Sequence, residues 1–237
     1  MCMGGDGVGE FETFKRLITE VYPKGIVSIV SDTWDFWKVM TEYLPALKEE
    51  ILAREGRIVI RPDSGDPVDI ICGDEESIER SEYRGAYQIL WDIFGGTIND
   101  KVYKVLNPKV GLIYGDSINY DRQKQILSKL ENKGFTASNL VLGIGSFTYE
   151  YVTRDTYGFA MKATYGEING IGKEIYKNPK TDSGLKKSAK GLLQVKDGKL
   201  KDQCTWEEES QGDLNTVFLN GVLVKEFTLE EVRNNLK

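Results

Sequence analysis

The stretch Arg57-Ile58-Val59-Ile60-Arg61-Pro62-Asp63-Ser64-Gly65-Asp66-Pro67 decides how the rest of the chain is read. Residues 57–61 have the β-branched content and length of a buried strand, and Pro62 and a turn-forming Asp-Ser-Gly-Asp-Pro run stop it abruptly. The pattern recurs on both sides. Residues 26–31 form an apolar run ending at Ser31-Asp32, residues 110–114 end at Gly115-Asp116, and residues 140–144 end at Gly145-Ser146. Amphipathic stretches lie between these runs. Phe36, Val39, Met40, Tyr43 and Leu44 fall on one face of a helix. Further helices are expected over 79–94, ended by Gly95-Gly96, over 117–133, ended by Gly134, and over about 148–157. This β-α-β-α order predicts parallel strands with right-handed crossovers, in either a barrel or a doubly wound sheet. In both, ligands bind at the carboxyl ends of the strands.

The last third reads differently. Segments 158–165, 168–176, 192–196 and 215–227 have the pattern of antiparallel strands, with Asn220-Gly221 as a hairpin turn. A short helix at 228–235 opens with a capping box, Thr228 and Glu231. The expected division is therefore an α/β part over 1–157 and an antiparallel β-rich segment over 158–237.

Composition narrows the chemistry. With 31 Lys and Arg against 37 Asp and Glu, the chain carries a net charge of −6, which argues against a nucleic-acid or anionic-membrane binder. No apolar run reaches the roughly 18 residues that span a bilayer, and the first ten residues lack the pattern of a signal peptide. Cys2, Cys72 and Cys204 are never spaced as Cys-x-x-Cys, which suits a reducing cytoplasm and weakens any zinc reading. The chain has 0 histidines, which excludes Ser-His-Asp and Cys-His hydrolases and His-ligated zinc. What remains is carboxylates, Arg, Lys, backbone N–H groups and a bound metal.

The four polar strand ends are where that chemistry is expected. Asp and Ser at such positions often do no more than cap the next helix, and for Asp32 alone capping accounts for the residue equally well. All four together, with Arg61 beside Asp63, favour a ligand site. Carboxylates there can accept from sugar hydroxyls or hold Mg²⁺ through oxygens and waters. Gly145-Ser146, at a strand-to-helix junction, offers N–H groups to a phosphate. No Walker A motif and no GxGxxG turn is present. Between Lys173 and Lys201 nine lysines face three acids; most of them fit a solvated basic surface, although some could add charge for a polyphosphate. Together these parts suggest a phosphorylated sugar as ligand.

The Arg61-Pro62-Asp63-Ser64-Gly65-Asp66-Pro67 motif resembles that of the nicotinamide phosphoribosyltransferases, most of all their bacterial and phage members. Val30-Ser31-Asp32, Gly115-Asp116, Gly143-Ile144-Gly145-Ser146, Thr153-Arg154-Asp155, Asn169-Gly170-Ile171-Gly172 and Thr216-Val217-Phe218 match as well. The resemblance implies part of a type II phosphoribosyltransferase α/β barrel, followed by a small antiparallel β-rich segment. It implies transfer of ribose 5-phosphate from phosphoribosyl pyrophosphate to nicotinamide, giving nicotinamide mononucleotide and pyrophosphate for NAD biosynthesis. By position, Arg61 would contact the base carboxamide and the pyrophosphate side. Asp63 and Asp116 would hold the ribose hydroxyls, with Gly115 contributing backbone. Gly145 and Ser146 would bind the 5′-phosphate and Arg154 would pair with it. Lys162, Lys177 and Lys186 match basic positions near the phosphates, and Asp32 would lie by the Mg²⁺–pyrophosphate region. Such transfers pass through an oxocarbenium-like state that fixed charge stabilises, so no side-chain nucleophile, and no histidine, is required. Pro62, where related nicotinate enzymes carry Leu, implies the nicotinamide branch, with a nicotinate-type enzyme as the alternative.

Two departures accompany the resemblance. Ser146 and Phe147 stand where family members carry glycine, and a bulky Phe147 would reshape the phosphate loop. The chain also aligns only with the carboxyl-terminal half of the family enzymes, which work as cytoplasmic dimers. The other half supplies the aromatic pair around nicotinamide, an Asp that reads its amide, further phosphate contacts, and the histidine that takes phosphate from ATP. Three readings follow: a half active only with its partner half, a sugar-phosphate-binding module without catalysis, or a non-functional fragment.

Overall fold

The β-branched runs do form strands, and in the expected order. The computed structural model describes residues 8–77, 81–115, 117–145, 152, 154–157, 159–178, 180 and 187–235. Helix α1 (Val8–Arg16) runs on through a π-helical turn, Leu17–Val21, into strand β1 (Lys24–Val30). Next come α2 (Phe36–Lys38), a π-helical turn (Val39–Tyr43), α3 (Leu44–Ala46) and α4 (Lys48–Ala53), leading to β2 (Glu55–Arg61). Then α5 (Pro67–Cys72), α6 (Ser81–Phe94), a hairpin of β3 (Gly96–Ile98) and β4 (Lys104–Leu106), β5 (Val110–Tyr114), α7 (Tyr120–Asn132) and β6 (Leu140–Leu142) complete the α/β part. Strands β1, β2, β5 and β6 form one parallel sheet in that order, in which Val30 pairs with Arg61, Ile60 with Leu112, and Tyr114 with Leu142. That register brings all four carboxyl ends to one edge of the sheet.

The sheet has two unlike faces because side chains alternate along a strand. Val27, Ile29, Ile58, Ile60, Val110, Leu112 and Tyr114 are buried in the main core with Phe36, Val39, Met40, Tyr43 and Leu44, the apolar stripe expected of the second helical stretch. On β1 and β6 the alternate positions are open: Ile26 is 75% exposed, Val30 43% and Val141 54%. Val59, Arg61 and Ile113 also alternate with core residues and are only half-buried. The first two strands meet tightly at their amino ends. A Cβ on Gly56, whose φ is +155°, would lie 2.0 Å from the Gly25 carbonyl oxygen, so only glycine fits there.

Contacts divide the chain into two units, one of residues 1–163 and 175–188, the other of residues 164–174 and 189–237. The second contains three antiparallel hairpins: β7 (Tyr165–Ile168) with β8 (Ile171–Glu174), β9 (Leu192–Lys196) with β10 (Lys199–Cys204), and β11 (Phe218–Leu219) with β12 (Val222–Leu223). It also holds α8 (Trp206–Ser210) and α9 (Leu229–Asn234), the latter with the expected Thr228–Glu231 capping box.

Several expectations need correction. Residues 159–164 are irregular, and the strand expected over 158–165 starts only at Tyr165, where an Asn169-Gly170 turn can close a hairpin. The strand expected over 168–176 shortens to 171–174, that over 215–227 to two residues either side of Asn220-Gly221, and the fourth parallel strand ends at Leu142. Half of the helix expected over about 148–157 lies outside the described residues; Arg154–Tyr157 is a 3₁₀ turn. Among the described residues no helix is long and apolar enough to cross a membrane.

Candidate functional site

The helices that follow the strands take their caps from residues beyond the strand-end carboxylates. Asp35 caps α2, accepting from the Lys38 N–H at 3.2 Å. Asp66 caps α5, accepting from the N–H groups of Val68 at 2.8 Å and Asp69 at 3.4 Å, and Asn119 caps α7 through the Arg122 N–H at 2.9 Å. Capping therefore does not explain Asp32. One oxygen of the Asp32 carboxylate instead reaches across to the end of the neighbouring strand, accepting from the Asp63 N–H at 2.9 Å and from the Ser64 hydroxyl. Ser31 adds a second tie, donating its N–H to the Arg61 carbonyl at 2.9 Å. Tyr114 Oη donates to the Gly65 carbonyl at 2.7 Å, so the end of β5 holds the same loop.

These ties leave polar atoms without partners. Asp32 is 1% exposed, yet among the described residues its Oδ1 has no hydrogen-bond partner. Arg61 Nε is also buried and unpartnered there. A buried donor and a buried acceptor left open at adjacent strand ends are costly to a fold that does nothing with them. The Arg61 side chain lies against Gly115, where an added Cβ would come within 2.8 Å of Nη2 and 3.1 Å of Nε. Gly115 thus gives room to a guanidinium, which its sequence position alone does not reveal.

Cations arrive from far along the chain. Lys177 Nζ lies 3.9 Å from Asp63 Oδ2. Lys180 pairs with Asp35 and donates its backbone N–H to the Trp34 carbonyl at 3.0 Å. The Tyr176 ring meets the Trp34 ring edge-on, with centroids 4.6 Å apart. Asp32, Arg61, Asp63, Gly115 and Lys177 are therefore joined at the carboxyl end of β1, β2 and β5. Gly145, with φ of +63°, lies just beyond the end of β6, where Gly143 accepts from Ile118 and donates to Tyr114. Lys162 is exposed on the irregular stretch before β7. Asp116, Ser146 and Lys186 lie outside the described residues, as does the side chain of Arg154.

Sequence reasoning missed Trp34, Asp35, Tyr176, Lys180 and Glu10. Glu10 had a signal, because it precedes Phe14 and Ile18 at four-residue intervals and all three are buried. Its carboxyl is pushed up to about 7, by burial first and then by the Asp35 and Asp32 carboxylates. The folded state therefore keeps a proton that the unfolded chain releases from about 4.5 upward, and stability falls as pH rises between about 4.5 and 7. Glu10→Gln is expected to melt later than the unsubstituted protein at pH 8 and to lose this slope, measured as thermal midpoints from pH 5 to 8. An unchanged slope would contradict the assignment.

Among the described residues no three His, Cys, Asp or Glu side chains group to hold a metal. One orphaned carboxylate oxygen does suit Mg²⁺, which binds through one or two carboxylates plus substrate phosphates and water. A cavity of about 800 Å³ that shares Asp35, Gly65 and Lys180 with these loops is lined by Glu42, Asp66, Asp69, Asp74 and Glu82 against Lys38. So acidic a lining disfavours a polyphosphate.

A family model described as the nicotinate phosphoribosyltransferase (NAPRTase) family matches residues 9–222. The chain is similar to the nicotinamide phosphoribosyltransferase of Acinetobacter baylyi, 56% identical over 247 aligned positions that cover 100% of this chain and 49% of the relative. The protein of the same name from Mycoplasma pneumoniae is 42% identical, over 77% of the chain and 40% of the relative. That from Xanthomonas campestris is 35% identical, over 94% and 47%. The chain spans about half the length of the curated relatives it matches.

Proposed function

The chain belongs to the nicotinate phosphoribosyltransferase family, and from that premise we propose that it carries the ribose-phosphate-binding part of a nicotinamide phosphoribosyltransferase. The reaction is transfer of ribose 5-phosphate from phosphoribosyl pyrophosphate to nicotinamide, releasing pyrophosphate. The observation that carries this reading is the pair of buried, unpartnered atoms, Asp32 Oδ1 and Arg61 Nε, at adjacent strand ends. The names of the relatives and the presence of Pro62 favour nicotinamide over nicotinate. The open sheet face with Ile26, Val30 and Val141 is the interior of an α/β barrel, closed by the segment that corresponds to the other half of the relatives. That segment completes the base site, and the assembled enzyme is a dimer.

In the reaction, Arg61 faces the pyrophosphate and the base, Asp63 and Asp116 accept from the ribose hydroxyls, and the Gly145 and Ser146 N–H groups bind the 5′-phosphate with Arg154. Lys162, Lys177 and Lys186 add positive charge around the phosphates. As the bond to pyrophosphate breaks, positive charge grows at the anomeric carbon and negative charge on the leaving group. Fixed carboxylates near the ribose and fixed cations near the phosphates stabilise both without having to reorganise. Mg²⁺, held by Asp32 together with the phosphates, would neutralise charge on the departing pyrophosphate.

Calorimetry of this chain with phosphoribosyl pyrophosphate and Mg²⁺ tests the reading. Saturable binding that Arg61→Ala and Asp63→Asn both weaken is expected; no binding by a folded chain would remove it. Gly115→Ala gives a finer check. The added methyl displaces the guanidinium, and a shift of about 1 Å costs on the order of 10²-fold in kcat/KM in the assembled enzyme. Full activity in that variant would mean that Arg61 does not act from this position.

A further inference from the structure

The polypeptide between β8 and β9 leaves the second unit and joins the first over residues 175–188. Its described residues touch the loop after β1 at Trp34 and Asp35. Tyr176 sets its ring edge-on to Trp34, at 4.6 Å and 80°, and the Lys180 N–H donates to the Trp34 carbonyl at 3.0 Å. The backbone of Lys177 is clamped as well: its N–H donates to Ser188 Oγ at 2.9 Å and its carbonyl accepts from the Ser188 N–H at 3.0 Å. Between these anchors the Lys177 ammonium is held 3.9 Å from Asp63 Oδ2. Lysine carries a point charge on a flexible stem, so where it acts depends on where its backbone is fixed. The ion pair between Lys180 and Asp35 is a weak anchor, because the Lys180 side chain is 74% exposed. The aromatic contact and the Trp34 carbonyl are the stronger ones.

We propose that Trp34 and Tyr176 are positioning residues that fix Lys177 over Asp63, so that this lysine meets the pyrophosphate end of the substrate while Asp63 holds the ribose. The inference rests on the transferase reading above for the identity of the ligand, but not for the contacts that hold Lys177.

Two measurements on the full chain separate these points. The first is hydrogen exchange at the Lys177, Lys180 and Ser188 amides. Trp34→Ala and Tyr176→Ala are expected to speed it at least tenfold, and Trp34→Phe to leave it near the unsubstituted rate. Unchanged exchange in the alanine variants would overturn the proposal. The second is calorimetry with Mg²⁺ and inorganic pyrophosphate. Trp34→Ala, Tyr176→Ala and Lys177→Ala are each expected to raise Kd about tenfold, and the doubles with Lys177→Ala no further than that variant alone. Full additivity in the doubles would mean that the rings act on the ligand directly, against the proposal. If the unsubstituted chain binds no pyrophosphate, the transferase reading fails, and hydrogen exchange alone decides whether Trp34 and Tyr176 fix Lys177. Should Trp34→Ala not fold, Tyr176→Ala carries both tests.

Discussion

Arg61→Ala is expected to lower kcat/KM of the assembled transferase by roughly 10²–10³-fold, the usual loss when one preorganised charge-stabilising donor is removed. The substitution should leave the fold intact. The backbone N–H and carbonyl of Arg61 both bond to Ser31 and survive the change, and Nε bonds to none of the described residues. Arg61→Lys is expected to recover little, because a point charge cannot reproduce the planar fork of a guanidinium. Steady-state rates together with a thermal melt check the prediction. Lost activity with an unchanged melting midpoint supports a role on substrate, whereas a parallel fall in both would make Arg61 structural.

Arg54→Leu should do the opposite, damaging stability and sparing the ligand end. Arg54 stands just before the start of β2, as Arg61 stands at its finish, but it is 5% exposed. Its guanidinium donates to the Ile18 carbonyl at 2.6 Å, to the Tyr22 carbonyl, and to the Gly25 carbonyl at 3.1 Å. It thereby closes the end of the first helix onto the start of β1. Leucine fills much of the space but strands three carbonyls, so about 3 kcal/mol of stability is expected to be lost. For a domain of this size that lowers the thermal midpoint by roughly 6–12 °C. A change of less than about 2 °C would mean that solvent satisfies those carbonyls at little cost. The two arginines mark the strand's two ends: the Nη groups of one donate to three backbone carbonyls, while the guanidinium of the other lies against Gly115 at the strand ends.

Most of the α/β part was legible because its signals are local. β-branched runs at 26–31, 57–61 and 110–114 form strands, the first of them with one face exposed, and the Phe36–Leu44 stripe packs in the core. Asp32, Arg61, Asp63 and Gly115 were legible as a group because parallel strands carry every strand end to one edge. What was missed is either short or distant. The β3–β4 hairpin has three residues a side, and β3 is wholly exposed, so no buried pattern marked it. Strand β10, Lys-Leu-Lys-Asp-Gln-Cys, is solvated along most of its length and read as part of a basic tract. Lys180 and Asp35 are 145 residues apart, and nothing local in a lysine-rich run says which lysine finds a carboxylate. The choice between Asp32 and Asp35 as helix cap was closer to hand: Phe36 and Trp37 directly follow Asp35, as expected after an N-cap.

The most direct test of the transferase reading is product formation. This chain is combined with the complementary half of the Acinetobacter baylyi relative and supplied with nicotinamide, phosphoribosyl pyrophosphate and Mg²⁺. Nicotinamide mononucleotide and pyrophosphate should appear in equal amounts, and Arg61→Ala should slow the formation of both by roughly 10²–10³-fold. A folded complex that binds phosphoribosyl pyrophosphate yet forms no nucleotide, or one that turns over nicotinate in preference, would contradict it.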